Sequence, residues 1–249
     1  MDCLEFLKEI PEKSVDLVLV DPPYNISQEG QQITRSNMKF GAYRRDTSIK
    51  LDFGDWDKME DKEFFDFTEA WFSECCRVLK DGCWVYVFFD KQKTGFFDLL
   101  LAKKYGIRAK SILVWEKTNP APQFRKANFI SATEFIWAGV KGNGKIKNFG
   151  RQIEMGNVFH YPNSSSYAET SHPTEKPLEL IKYLIKVNSY ESDVVLDCFM
   201  GSGTTALACK QLNRNFIGCD KSEEYCKMAE KRLAVWNGQK RLSEIKDIK

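Results

Sequence analysis

The sequence predicts an α/β fold, a doubly wound and mostly parallel sheet. Three observations lead there. Short apolar runs rich in β-branched residues alternate along the chain with segments of helical periodicity. The first such run, Val15–Val20, stops at Asp21-Pro22-Pro23-Tyr24. A later one, Asp193–Asp197, runs straight into a glycine-rich turn. In open α/β sheets ligands bind beyond the carboxyl ends of the strands, where both of these residue sets would lie.

Taken in order, Leu4, Phe6, Leu7 and Ile10 give Met1–Ile10 a helical face that ends at Pro11. Val15–Val20 reads as a buried strand, because it is continuously apolar but for Asp16. Asn25–Lys58 is polar, carries Gly30, Gly41 and Gly54, and shows neither helical nor strand periodicity. Such a loop is either a lid that orders on a ligand or a solvated connection. Asp61–Leu79 is helical, with Phe64, Phe65, Phe67, Trp71, Phe72 and Val78 on a broad apolar face. Lys80-Asp81-Gly82 ends it, and Cys83–Phe89 is the next buried strand. Thr94–Lys104 is a helix, and Ile107–Glu116 and Thr133–Val140 are strands. Lys117–Lys126 and Gly142–Tyr167 are loop-like, and their basic residues interleave with Phe124, Phe129 and Phe149. The remaining elements are a helix over Leu178–Val187, the strand Asp193–Asp197, a helix over Ala206–Leu212, the strand Asn215–Asp220 and a helix over Glu223–Leu233.

Composition narrows the function classes. A chain of 249 residues, 43% of them hydrophobic, can bury a full core and suits one large α/β domain. A net charge of +2 makes any nucleic-acid surface local rather than global. The eight cysteines show no Cys-x-x-Cys spacing, and His160 and His172 are the only histidines, so neither a metal site nor a disulfide framework is expected. Cys198 and Cys219 end predicted strands, where cysteine serves as a small hydrophobe. There is no signal peptide and no long apolar run, so a reducing cytosol is the expected location and no membrane the expected partner.

The corner after the first strand carries chemistry. Two prolines cannot continue a sheet, so Asp21, the carbonyl of Pro22 and the ring of Tyr24 are held at a rigid strand end. An exocyclic amine on a nucleobase is a poor nucleophile, since its lone pair is delocalised into the ring. Two acceptors holding its N–H bonds favour a tetrahedral nitrogen and stabilise the positive charge that develops there. Tyr24 offers a flat face for an extruded base.

The glycine turn is the second anchor. Cys198–Thr205, Cys-Phe-Met-Gly-Ser-Gly-Thr-Thr, lies between a strand and a helix, where backbone approaches a ligand closely and amides face an anion. The lysine of a Walker-type loop is absent, which argues against an NTPase, and the dinucleotide fingerprint is also incomplete. Asp220 lies about twenty residues on, where an acid accepts from ribose hydroxyls.

Asp21–Tyr24 resembles the catalytic motif of the amino-group DNA methyltransferases, which act on adenine N6 or cytosine N4. His172–Leu178, His-Pro-Thr-Glu-Lys-Pro-Leu, is similar to the segment that closes over their cofactor. Phe199–Thr205 resembles their cofactor loop, and Gly218–Leu233 their ribose-binding strand and helix. The order catalytic, His-Pro-Thr, cofactor is that of the β class.

The resemblance implies a Rossmann-like methyltransferase fold with a small loop-rich target-recognition insertion. It implies S-adenosylmethionine as cofactor, no metal, and double-stranded DNA as substrate, with a homodimer and a cognate restriction endonuclease as further partners. It divides a single domain over 1–249 into a catalytic half (1–116), a target-recognition region (117–170) and a cofactor half (171–249). Asp21, Pro22, Pro23 and Tyr24 become the catalytic set. Asp21, Thr174, Lys176, Asp197, Phe199, Gly201, Ser202, Gly203, Thr204, Thr205 and Asp220 become the cofactor set. The resembling enzymes also carry a Gly-Asp ahead of the first helix whose acid approaches the cofactor adenine, and Asp2 is the candidate for it. Arg44, Arg45, Lys117, Arg125, Lys126, Lys145 and Lys147 are the candidate DNA contacts. Aspartate at position 21 points to adenine N6, since the N4 enzymes commonly carry serine there. The alternatives are cytosine N4 methylation and a non-catalytic DNA-binding module that keeps the fold.

Overall fold

The computed structural model describes residues 1–25, 32–33, 49–50, 59–91, 93–122, 129–163 and 175–235. They fall into two compact units, Met1–Pro22 with Ala70–Lys249, and Pro23–Glu69. In chain order the elements begin with α1 (Cys3–Glu9), β1 (Val15–Val20), β2 (Gln32–Ile33), β3 (Ile49–Lys50), α2 (Asp61–Val78) and β4 (Leu79–Phe89). A helical stretch follows, made of α3 (Thr94–Phe96), a π turn (Phe97–Leu101) and α4 (Ala102–Lys104). Then come β5 (Ile107–Lys117), β6 (Thr133–Lys141) and β7 (Val158–Tyr161), with a 3-10 turn at Gln152–Glu154 between the last two. The chain continues through α5 (Leu178–Asn188), β8 (Val194–Asp197), α6 (Thr204–Gln211), β9 (Asn215–Gly218) and α7 (Glu223–Val235).

The large unit is built on a seven-stranded sheet in the order β7-β5-β6-β4-β1-β8-β9. β6 runs antiparallel to β4 and β5, while every other pairing is parallel. β1 is flanked on both edges, and all six of its residues are buried, which is why its sequence is an apolar run rather than an alternation. Its one acid, Asp16, is satisfied by Lys80 Nζ at 2.8 Å and the Val194 amide at 3.0 Å.

Alternation along β4 shows how both faces are covered. Phe89 meets the ring of Phe97 in the π turn, and Trp137, opposite Val87, stacks on the same ring. Tyr86 instead accepts from Asn188 at the end of α5, and Phe88 lies under the Lys176 ammonium. Trp71 and Phe72 of α2 complete the first face, with Phe72 5.3 Å from Phe97 and 5.9 Å from Trp137. Each such ring removes about 150–250 Å² from water, roughly 4–6 kcal/mol of gross transfer free energy. This cluster anchors the part of α2 from Ala70 onward to the sheet.

The predicted mostly parallel, doubly wound sheet is the one observed, and its departures are local. β4 begins at Leu79, directly after α2, so Lys80-Asp81-Gly82 marks an irregularity within the strand rather than a break before it. Gly82 there takes a φ of +79°. β7 lies inside the stretch read as loop. Its sequence is half polar and Val158 is exposed, so pairing with β5, not patterning, makes it a strand. β2 and β3 pair inside the predicted polar loop. In the smaller unit the Asn25 side chain exchanges two 2.8 Å hydrogen bonds with the backbone of Met59, closing the ends of that loop. All eight cysteines are free thiols, seven of them buried.

Candidate active site

Parallel packing gathers acids at one edge. Asp21 follows β1, Asp197 ends β8, and Asp220 lies two residues past β9. β6 runs the other way and therefore starts at this edge, placing Glu134 there opposite Trp115 of β5. β5 ends at Lys117, whose Nζ binds Glu134 Oε1 at 2.7 Å.

Lys176 reaches into this edge from the segment before α5. Its Nζ lies 2.5 Å from Asp21 Oδ2 and 3.6 Å from Glu134 Oε2, and 5.3 Å from the centre of the Phe88 ring. Burial pulls the Lys176 pKa down, but the Asp21 and Glu134 carboxylates outweigh it and hold the ammonium above its ordinary value. Burial pushes Glu134 up, yet Lys176 and Lys117 outweigh that and leave it below the usual range. Two cations and two acids thus form one charge cluster at the carboxyl end of β1.

The glycine turn is clamped between two other acids. Asp197 Oδ1 accepts from the Phe199 amide at 3.0 Å and its Oδ2 from the Thr205 hydroxyl at 2.7 Å. Asp220 accepts from the amides of Gly201 at 2.9 Å and Ser222 at 2.8 Å. Burial, with Asp21 and Asp220 nearby, pushes the Asp197 carboxyl up to about 7, even though Thr205 and the Phe199 amide act against it. Gly203 has a φ of +81°, and a Cβ there would come within 2.6 Å of Ala229 Cβ on α7. Glycine is needed both for the left-handed turn and for the close approach of α7. The Phe199 ring packs edge-on against Trp71, 5.4 Å away.

α6 begins immediately after this turn. Ser202, Thr204 and Thr205 are buried, and among the described residues their amides have no hydrogen-bond acceptor. They are the free donors that a helix start offers to an anionic group. Behind them Arg232 of α7 donates to Glu175 Oε1 at 2.5 Å and to the Thr204 hydroxyl at 3.1 Å. Both partners of this ion pair are buried, with side chains 9% and 5% exposed. It ties the turn to the residue next to Lys176.

The sequence-selected residues sort as follows. Asp21 and Lys176 meet directly, and Asp197, Phe199, Gly201, Ser202, Gly203, Thr204, Thr205 and Asp220 build the adjoining turn. Pro22 is buried; Pro23 and Tyr24 are half-buried and begin the smaller unit. Asp2 caps α1, accepting from the Leu4 amide at 2.9 Å. The adjoining Met1 ammonium donates to the Asp220 carbonyl at 3.2 Å.

Lys117 stands in the charge cluster at the site edge. Lys145 and Lys147 follow the far end of β6, seven residues from Glu134, about 23 Å along a strand. There the Lys145 carbonyl accepts from Trp84 Nε1, and Lys147 binds Asp193 at 2.7 Å beneath α5. They lie at the opposite edge of the sheet from Asp21. Arg44, Arg45, Arg125, Lys126 and Thr174 fall outside the described residues. Sequence reasoning missed Glu134, Glu175 and Arg232 as site residues. The signal for Glu134 was an acid opening an otherwise apolar strand; Arg232 gave none, since its partner is 57 positions away.

A family model described as DNA methylase matches residues 15–231, most of the chain. This chain belongs to the N6/N4 DNA methylase family. The match takes in β1 with Asp21, the Lys176 segment, the glycine turn and α7 up to the residue before Arg232. The methylase chain is 31% identical over 251 residues to the Type II methyltransferase M.HinfI of Haemophilus influenzae, covering 93% of this chain and 66% of that relative. It is 30% identical over 248 residues to the Type II methyltransferase M2.DpnII of Streptococcus pneumoniae, covering 95% and 88%. Among solved structures, the M1.HpyAVI–SAM complex superposes with a TM-score of 0.71 at 27% identity, over 94% of this chain and 96% of that one. Among the described residues no helix is long and apolar enough to cross a membrane.

Proposed function

We propose that this methylase transfers a methyl group from S-adenosylmethionine to adenine N6 in double-stranded DNA, the base being flipped from the duplex. The observation that carries the reading is Asp21 at the end of β1, one strand from the clamped turn after β8. The turn suits the cofactor, because Ser202, Thr204 and Thr205 are buried, their amides have no acceptor among the described residues, and a carboxylate is one. Asp197, Phe199, Gly201 and Gly203 shape that turn, and Asp220 stands where an acid meets ribose hydroxyls. When bound, the cofactor supplies a methyl carbon whose bond to the sulfonium sulfur breaks, the electron pair staying on sulfur, as its bond to nitrogen forms.

The chain's own residues do the rest. The Asp21 carboxylate and the Pro22 carbonyl accept the N–H bonds of the amine and favour a nucleophilic nitrogen. Asp21 is the first acceptor for the proton that nitrogen must lose, on its way to water. Fixing amine and donor at adjacent strand ends removes much of the entropic barrier. Tyr24 is the base-stacking face on the strength of the sequence motif. Lys117, at the site edge, is the proposed target-recognition contact of the stretch 117–170 beside Asp21, with Arg44, Arg45, Arg125 and Lys126 on phosphates. The Type II relatives support a cognate restriction endonuclease as partner. Aspartate at position 21 favours adenine over cytosine N4.

The test is transfer of labelled methyl to mixed genomic DNA followed by nucleoside mass analysis. N6-methyladenine is the expected product. N4-methylcytosine would move the substrate but keep the chemistry, and cofactor binding without any transfer would overturn the reading.

A further inference from the structure

One buried oxygen at the site has no hydrogen-bond partner among the described residues. Glu134 Oε1 is held by Lys117, but Glu134 Oε2 is buried and without a hydrogen-bond partner among the described residues. Lys176 Nζ stands 3.6 Å away, too far for a hydrogen bond, while it is bonded to Asp21. A buried carboxylate oxygen left without a donor is costly, so its persistence calls for a use.

The chemistry at Asp21 supplies one. The target amine brings its own N–H donors to Asp21 and gains positive charge as it reacts. An ammonium kept on the same carboxylate would compete for its lone pairs and repel that charge. The Phe88 ring beneath Lys176 faces the ammonium with its negative surface, which eases a shift of less than a bond length towards Glu134.

We propose that Glu134 is a positioning residue, the second seat of the Lys176 ammonium. In the free enzyme Lys176 occupies Asp21; when the amine arrives, Lys176 turns to Glu134 Oε2 and leaves Asp21 to the substrate. Lys117 keeps Glu134 in place for this exchange. The inference rests on methyl transfer at Asp21, and its tests separate the two.

The first test is structural and independent of activity. In a crystal structure of Asp21→Asn, Lys176 Nζ is expected within about 3 Å of Glu134 Oε2. An Nζ still bonded to residue 21, with Glu134 Oε2 unbonded, overturns the second seat whatever the enzyme's activity. The second test is kinetic, using Glu134→Gln, Lys176→Gln and the double variant on genomic DNA. Glu134→Gln is isosteric and keeps an acceptor for Lys117, and is expected to lower kcat about tenfold with an unchanged dissociation constant for S-adenosylmethionine. Without the Glu134 charge Lys176 stays on Asp21, so adding Lys176→Gln is expected to raise kcat above that of Glu134→Gln alone. A double variant as slow as or slower than Glu134→Gln overturns the inference. Absence of transfer by the wild-type enzyme overturns the functional reading instead.

Discussion

Lys176 Nζ lies 2.5 Å from Asp21 Oδ2, although 155 positions separate the two residues in the chain. The contact joins the Asp21 corner, which sequence reasoning had assigned to both the amine and the cofactor, with the Lys176 segment, which it had assigned to the cofactor. It also sets a cation, flanked by Glu134 and Lys117, on the carboxylate proposed to hold the substrate. The site is a connected charge system rather than a motif with a loop beside it.

The Glu175–Arg232 pair is the buried strut of that system. Arg232→Met removes one cation from the buried Glu175 and the donor to Thr204. Breaking such a pair costs about 3–5 kcal/mol, more than an exposed bridge contributes. Adding Glu175→Gln to the variant is expected to recover part of the loss, because a neutral side chain does not need the cation that Arg232 supplied. Urea denaturation measures both, and a double variant no more stable than Arg232→Met would contradict the account.

Asp197 gives the fold a pH dependence of definite sign. Its carboxyl takes up a proton at about 7 in the folded chain, against 3.8 for an unperturbed aspartate. Between about pH 4 and 7 the native state therefore binds more protons than the unfolded one, and this group makes stability fall as pH rises through that window. The full effect is at most about 4 kcal/mol, three pKa steps of about 1.4 kcal/mol each. Asp197→Asn cannot ionise, so its stability relative to wild type is expected to improve steadily from about pH 4 to about pH 7 and then level off. A difference independent of pH would remove Asp197 from this role.

Gly203 couples the turn to α7. Gly203→Ala must place a methyl 2.6 Å from Ala229 Cβ and hold a left-handed φ. The conformational cost of about 1–2 kcal/mol and an overpacking cost of about 1–3 kcal/mol predict a loss of roughly 2–5 kcal/mol. Weaker binding of S-adenosylmethionine is expected with it. Thermal unfolding and equilibrium dialysis check the two effects, and a variant unchanged in both would show that the close approach is dispensable.

What the sequence showed was whatever is local. Asp21-Pro22 after a continuous apolar run, and glycines between a strand and a helix, carry their meaning within ten residues. The sheet order and the reversal of β6 do not, and so the acid that opens β6, Glu134, could not be assigned to the site: only an antiparallel strand begins at the edge where its neighbours end. The same reversal carries Lys145 and Lys147 to the far edge, although they follow the site in the chain. Asp2 was read through the resemblance, and the structure shows the use that an acid before a helix ordinarily has, a cap. β7 was missed because its half-polar pattern becomes a strand only by pairing with β5.

The most direct measurement is labelled-methyl transfer to genomic DNA by the wild-type chain and by Asp21→Ala, with S-adenosylmethionine affinity measured on both. The account predicts N6-methyladenine from the wild type, transfer at background in the variant, and cofactor affinity within about threefold, since Asp21 acts on the amine. Transfer by Asp21→Ala at the wild-type rate would contradict it.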